Sequence, residues 1–179
     1  MNKLTKLNRI DSKIKYSNPF WNYRFDHYTY PNGNKGEYHY VETNGSTMII
    51  PQLDNNTFVL IRQYRYLNQR ESIEFPGGGI KLNNSPIENA REELLEETAY
   101  KADNIEKIGS FNPFNGVTSE ICLVYLANDL TKAIADPDQS EEFEIIELKK
   151  EMIIKYIQMG EIWDGMTLAS WMLYSTKKL

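Results

Sequence analysis

Cysteine is all but missing from this chain of 179 residues: Cys122 stands alone. A single cysteine excludes an internal disulfide, and its place in the apolar run ICLVYLA marks a small core residue. Histidine is scarce as well. His27 and His39 have no cysteine or histidine partners at metal-ligand spacing, so both are read as structural or exposed. Long apolar runs are absent, and nothing approaches a membrane-spanning helix. The first ten residues are polar and lack the apolar core of a secretory leader, so the expected setting is the cytoplasm. Positive charge is also short. Lys and Arg number 20 against 25 Asp and Glu, and the net charge of −5 gives no support for general nucleic-acid binding. Neither a repeat nor a low-complexity segment is found.

What is present is the material of a globular fold. Hydrophobic residues make up 41% and aromatics 12%, enough for a sizeable core. The length fits one domain with an N-terminal extension. The boundary is placed so that 1–43 is an extension, expected to serve dimerisation, and 44–179 is the main domain. Residues 1 to about 18 read as a polar lead-in. Alternation through Trp21, Tyr23 and Phe25, the turn signal Pro31-Asn32-Gly33, and then Tyr38 and Tyr40 predict an antiparallel β-hairpin. A strand pair is predicted at 46–53 and 57–66 around Asp54-Asn55-Asn56, and a short strand at 71–75. Further strands are expected at 105–111, 121–127 and 142–148, separated by loops at 112–120 and 133–139. Helices are expected at 150–159, ending near Gly160, and after a cap at Asp164. The class is α+β, a mixed sheet layered with a few helices.

The chain is organised around 75–100, FPGGGIKLNNSPIENAREELLEETAY. Three glycines lead through a polar loop into a helix. Ser85 is its N-cap, Pro86 suits the first helical position, and Glu88 completes a capping box. Glu93, Glu96 and Glu97 have the i, i+3, i+4 spacing that places side chains on one face. Ile87, Ala90, Leu94 and Thr98 form the neighbouring stripe, read as core-facing. Clustered carboxylates repel one another, and a divalent cation removes that penalty. Oxygen ligands suit Mg²⁺ or Mn²⁺, which commonly share a few carboxylates with substrate phosphates. Glycines ahead of the helix let backbone approach a phosphate or a metal closely. A solvated acidic face is the plainer alternative.

These residues resemble the Nudix box, G-x5-E-x7-R-E-U-x-E-E-x-G-U, where U is aliphatic. With Gly78 as the first glycine, Glu93, Leu94, Glu96 and Glu97 fall in register. Four positions depart: Asn84 replaces the first glutamate, Glu92 the arginine, Ala99 the last glycine, and Tyr100 an aliphatic residue. The lost arginine orients a glutamate in the family, and Arg91 points about 100° away from its place. LIRQYRY, ESIEFPGGGI, GSFNPFNGVTSE and GEIWDGMTLASWML extend the likeness to the ADP-ribose pyrophosphatase branch, over roughly 20–175.

The resemblance implies a Nudix-type αβα sandwich and hydrolysis of ADP-ribose or a related nucleoside diphosphate sugar by a homodimer. It implies metal ligation by Glu93, Glu96, Glu97 and the Gly77 carbonyl. Arg65 then contacts phosphate, and Gly78 lies against the substrate. The general base is a loop glutamate, Glu142, Glu141 or Glu120. Trp21 and Tyr23, with Phe25, are candidates to stack on a base, and equally for a dimer contact or simple packing. Two other readings stay open: a Nudix enzyme for nucleoside triphosphates or dinucleoside polyphosphates, and a nucleotide-sensing module that binds without cleaving.

Overall fold

The computed structural model describes residues 4–134 and 142–177. Its elements, in chain order, are β1 (Asn8–Ser17), β2 (Asn22–Thr29), β3 (Lys35–Glu42), β4 (Ser46–Pro51), β5 (Thr57–Arg65), β6 (Arg70–Glu74), β7 (Gly77–Gly79), α1 (Pro86–Thr98), β8 (Tyr100–Phe111), β9 (Cys122–Lys132), β10 (Glu144–Lys149), α2 (Lys150–Met159) and α3 (Gly165–Thr176). They fall into two compact units. One is Met1–Asn44 with Phe114–Glu120, the other Gly45–Pro113 with Ile121–Leu179.

The first unit is an antiparallel sheet in the order β1-β2-β3. The expected hairpin is β2 and β3, with Gly33 at φ 86° in the turn. The expected lead-in is instead a third strand, since β1 pairs along β2 from Asn8↔Thr29 to Ser17↔Asn22. Ile10, Ile14 and Tyr16 alternate there with charged residues, a period-2 signal that the reading of 1–18 as a polar lead-in passes over, and all three are exposed. Residues 114–120 join this unit through Val41 N–H to the Val117 carbonyl (2.9 Å) and Ser119 N–H to the Val41 carbonyl (3.0 Å).

The second unit holds two sheets, β7-β4-β9-β8 and β10-β5-β6. The first is mixed, because β4 runs parallel to β9 while its other pairings are antiparallel. Here the predicted β4–β5 strand pair is corrected. Asp54 Oδ1 accepts from the N–H groups of Asn56 (2.7 Å) and Thr57 (2.8 Å), and one bridge, Gln52↔Phe58, follows. The strands then part into different sheets. The glycines, for which no strand was expected, form β7 on the edge of β4.

Alternation along the strands divides the core into two layers. Met48, Ile50, Phe58, Leu60, Val124 and Leu126 face Ile153 of α2 and Trp171 and Tyr174 of α3. Ile49, Val59, Tyr125 and Ala127 face Ala90 and Leu94 of α1. That is the expected αβα arrangement. β4 is buried on both faces, which explains its unbroken run STMIIP. Each of these large side chains gains about 1.5–3 kcal/mol from burial. Phe58 meets Trp171 and Tyr174 edge-on, at 5.3 and 5.2 Å between ring centres. Asp164 caps α3 by accepting from Thr167 N–H (2.7 Å), and Thr167 Oγ1 accepts from Phe75 N–H (3.1 Å). The last helix therefore pins the segment that leads into the glycines.

Candidate active site

Helix α1 starts as its sequence dictates. Ser85 is extended, Ser85 Oγ accepts from Glu88 N–H, and the Glu88 carboxylate accepts from Ser85 N–H (2.8 Å). The core-facing stripe is shifted, however. Ala90, Leu94 and Thr98 are buried, but Ile87 is exposed, while Asn89 and Glu97 are buried. The face that carries Asn89, Glu93 and Glu97 at i, i+4 spacing is turned into the fold, toward β4 and β7.

The glycines make room for it. A Cβ added at Gly78 would lie 2.6 Å from Glu93 Oε1, so Glu93 rests in the space that a side chain would fill. Gly77 N–H donates to Glu97 Oε2 (2.8 Å). Asn89 ties the same elements together: its Nδ2 donates to Thr47 Oγ1 (3.0 Å), and its Oδ1 accepts from Lys81 N–H (3.1 Å). Both polar ends of a fully buried amide are thus satisfied.

Two departures from the box pattern answer each other. Asn84 Nδ2 donates to Glu92 Oε2 (2.8 Å), so the neutral amide and the new carboxylate join the loop to the helix. Lys81 Nζ lies 3.1 Å from Glu92 Oε2 and 3.4 Å from Glu96 Oε1. Desolvation lowers the Lys81 pKa, and the Glu92 hydrogen bond with the charges of Glu96 and Glu92 more than reverses it, for a net rise. Arg91 is no substitute for the missing arginine. Its Nη1 donates to the Ala102 carbonyl (2.8 Å) and braces β8. Tyr100 stands at an aliphatic box position with its ring in the core and its hydroxyl 3.1 Å from Glu147 Oε1.

Arg65 leaves the polar end of β5 and grips Glu74. Its Nε donates to Glu74 Oε1 (2.8 Å) and its Nη2 to Glu74 Oε2. Glu74 is 2% exposed, and Gln63 Nε2 lies 3.4 Å from its Oε2. The Glu74 hydrogen bonds, outweighing desolvation and helped by the charges of Glu74, Asp164 and Glu97, hold the Arg65 guanidinium above its ordinary pKa. Arg65 thus stays charged within the field of Glu97. Sequence reasoning passed over Glu74, Asn89 and Lys81. A carboxylate between Ile73 and Phe75 in a strand was the available signal for the first; for the other two only the placement of loop against helix reveals the role.

The base candidates separate. Glu142 precedes β10 and, with Arg62, Gln63, Tyr64 and Glu71, lines a cavity of about 280 Å³. Glu141 lies outside the described residues. Glu120 belongs to the N-terminal unit, as do Trp21 and Tyr23. Trp21 packs on Tyr16 at 5.7 Å, and Tyr23 bonds His39 Nδ1 through its hydroxyl (2.6 Å). Phe25 is buried against His27 and His39. His27 pairs with Asp11 (2.8 Å).

The donor set suits a hard divalent cation: three helix carboxylates, with Glu93 cradled by Gly78 and Glu97 at the Gly77 peptide. Their convergence is incomplete. Among the described residues no three acidic, His or Cys side chains stand close enough together to enclose an ion, and Glu96 is drawn to Lys81.

The family model described as a NUDIX domain matches residues 43–161, more than half of the chain. The chain belongs to the Nudix family. Nudix hydrolases are in general dependent on a divalent metal. The methanol dehydrogenase activator of Bacillus methanolicus is 29% identical over 94% of this chain and 92% of its own. The ADP-ribose pyrophosphatase of Bacillus subtilis (strain 168) is 29% identical over 76% and 75%. The GDP-mannose pyrophosphatase of Citrobacter koseri is 30% identical over 72% of each. Among solved structures, an ADP compounds hydrolase superposes with a TM-score of 0.84 over 98% of this chain and 95% of its own, at 19% identity. That likeness confirms the Nudix α+β fold. No helix among the described residues is long and apolar enough to cross a membrane.

Proposed function

We propose that this Nudix protein hydrolyses the pyrophosphate bond of ADP-ribose or a related nucleoside diphosphate sugar, giving a nucleoside monophosphate and a sugar phosphate. The observation that carries this reading is the arrangement of Glu93 against Gly78 and Glu97 against the Gly77 peptide. The pyrophosphatase relatives supply the substrate class.

Glu93, Glu96, Glu97 and the Gly77 carbonyl would hold Mg²⁺ or Mn²⁺. The metal, when bound, neutralises diphosphate charge and acidifies a water. Arg65, held by Glu74 through Nε and Nη2, would contact a phosphate oxygen through its remaining N–H groups. Gly78, whose missing side chain makes room for Glu93, would lie on the substrate side of that carboxylate. Glu142 or Glu141 takes the proton of the attacking water; Glu120 is the remaining candidate. The water oxygen bonds to one phosphorus, the bridging P–O bond breaks, and its oxygen leaves on the other phosphate. Residues 1–43 are assigned to homodimerisation, with Trp21 and Tyr23 available to the nucleoside. Light scattering that finds only monomer would remove that assignment.

The test is turnover of ADP-ribose and nucleoside diphosphate sugars with Mg²⁺ or Mn²⁺. Glu96→Gln and Glu97→Gln are each expected to lose activity on the order of a hundredfold. Undiminished turnover in both refutes the assignment. A second reading is favoured by the span of the activator match, 94% of the chain: action on a methanol dehydrogenase. A dehydrogenase assay whose rate is the same with and without this protein ends it.

A further inference from the structure

The acidic face of α1 carries a fourth carboxylate. Glu92 stands where the box has arginine, so a positive charge next to Glu93 is replaced by a negative one. Glu92 and Glu96 are i, i+4 neighbours, a repulsive pair on any helix. One cation answers both. Lys81, from the loop after β7, places Nζ 3.1 Å from Glu92 Oε2 and 3.4 Å from Glu96 Oε1. Its backbone is fixed independently, since Lys81 N–H donates to the buried Asn89 and Ile80 N–H donates to the Gly45 carbonyl (2.9 Å). Asn84 holds Glu92 from the other side (2.8 Å). Glu92 is thus anchored, Lys81 is tethered to it, and Glu96 is shared. Glu96, a box carboxylate, is thus held by an ammonium, and no three acidic groups among the described residues stand close enough together to enclose an ion.

We infer that Lys81 is a resident counter-ion that a divalent metal has to displace from Glu96, and that it thereby sets the metal affinity of this site. The inference rests on the reading of Glu93, Glu96 and Glu97 as metal ligands. Binding is then an exchange: Glu96 leaves the ammonium for the metal, and Lys81 retains Glu92. An ammonium and a dication compete for one carboxylate, so the lysine weakens binding while protecting the metal-free helix from its own charge. The contact is half exposed, which keeps the lysine easy to displace.

The experiment is a Mn²⁺ titration by calorimetry, and by the electron-spin signal of free Mn²⁺, on the full chain. Lys81→Met and Lys81→Gln are expected to tighten Mn²⁺ about two- to fivefold, whereas Lys81→Arg, which keeps the charge, stays near wild type. Without metal, Lys81→Met should melt lower than wild type, and saturating Mn²⁺ should raise its Tm by more. Glu96→Gln should weaken Mn²⁺ in every background and abolish the gain from Lys81→Met. If Lys81→Met and Lys81→Gln leave Mn²⁺ affinity unchanged or weaker while Glu96→Gln lowers it, the exchange is refuted and the metal ligands stand. If Glu93→Gln and Glu96→Gln both bind Mn²⁺ as wild type does, the metal reading itself falls.

Discussion

Alanine substituted at each of three consecutive glycines should produce three different outcomes. Gly77, Gly78 and Gly79 form β7, and none has a positive φ, so alanine meets no backbone penalty at any of them. What differs is what the new methyl group meets. At Gly77 it collides with the Thr47 carbonyl oxygen and lies 2.8 Å from Met48 Sδ. Thr47 and Met48 belong to β4, which is buried along its whole length and cannot retreat. Overpacking of this kind costs about 1–3 kcal/mol, and in a protein of this size each kcal/mol lowers Tm by about 2–4 °C. Gly79 has nothing within 4 Å, so Gly79→Ala should be neutral.

Gly78→Ala is the informative case. Its methyl meets the Glu93 carboxylate at 2.6 Å, and that group must withdraw to at least 3.4 Å. A carboxylate at the end of a flexible side chain moves cheaply, so stability should be nearly unchanged. The displaced group is a proposed metal ligand, and a misplacement of about 1 Å can cost on the order of a hundredfold in rate. The expected result for Gly78→Ala is a Tm within about 1 °C of wild type with kcat/KM for ADP-ribose down on the order of a hundredfold. Gly77→Ala should show the reverse emphasis, a large fall in Tm. Full activity in Gly78→Ala would refute the claim that the glycine exists to seat Glu93. So would an activity loss that merely tracks a Tm loss equal to that of Gly77→Ala.

Two further outcomes follow from the ends of α1. Ala99 closes the helix at φ 55°, ψ 30°, with its N–H on the Leu95 carbonyl, where a Cβ costs roughly 1–2 kcal/mol. Ala99→Gly should therefore raise Tm by about 2–8 °C in a thermal melt; a lower Tm would contradict it. At the other end, hydrogen bonds from the Ser85 side chain and then its backbone N–H hold the Glu88 pKa below its ordinary 4.5. Its charged form then stabilises the folded state above pH 4.5 and loses that contribution as pH falls through the lowered folded value. The Tm advantage of wild type over Glu88→Gln should be full at neutral pH and vanish in acid, measured as a pH series of melts.

Local signals were legible in the sequence, and pairings were not. Ser85, Pro86 and Glu88 announce α1, and Asp164 announces α3, because caps act over a few residues. The partner of β4 is β9, more than seventy residues along the chain, with Ile49 opposite Tyr125. Adjacency in sequence suggested β5 instead. β7 was hidden because glycines carry no side chains to alternate, and β1 because its few apolar residues, Ile10, Ile14 and Tyr16, stand among charges and stay exposed on an edge strand. The glutamate spacing located the site, yet the inward turn of the Asn89–Glu93–Glu97 face needed β4 and β7 to be in place. Glu97, grouped in the sequence with Glu93 and Glu96 on a face beside the core stripe, is itself buried.

The departures from the box pattern weaken as evidence against activity once their contacts are known. Read singly, Asn84 loses a carboxylate and Glu92 loses a guanidinium. In the fold, Asn84 donates to Glu92 at 2.8 Å, so the tie between loop and helix survives with the chemistry of its ends exchanged. The exchange leaves one more negative charge on the helix than an arginine would, and Lys81 takes it up. Tyr100 likewise has its ring in the core and its hydroxyl on Glu147, as a buried phenol requires. Ala99 keeps both backbone hydrogen bonds, its N–H on the Leu95 carbonyl and its carbonyl on Ala133 N–H (2.9 Å each), but carries a Cβ in a left-handed backbone; it burdens stability at the far end of α1 from Lys81 and Asn84. A sensor that had abandoned catalysis would have no need to keep Gly78 empty for Glu93, or to hold Arg65 charged through a buried Glu74. Asn84, Glu92 and Tyr100 have found new partners, and the three carboxylates of the E-L-L-E-E core did not change.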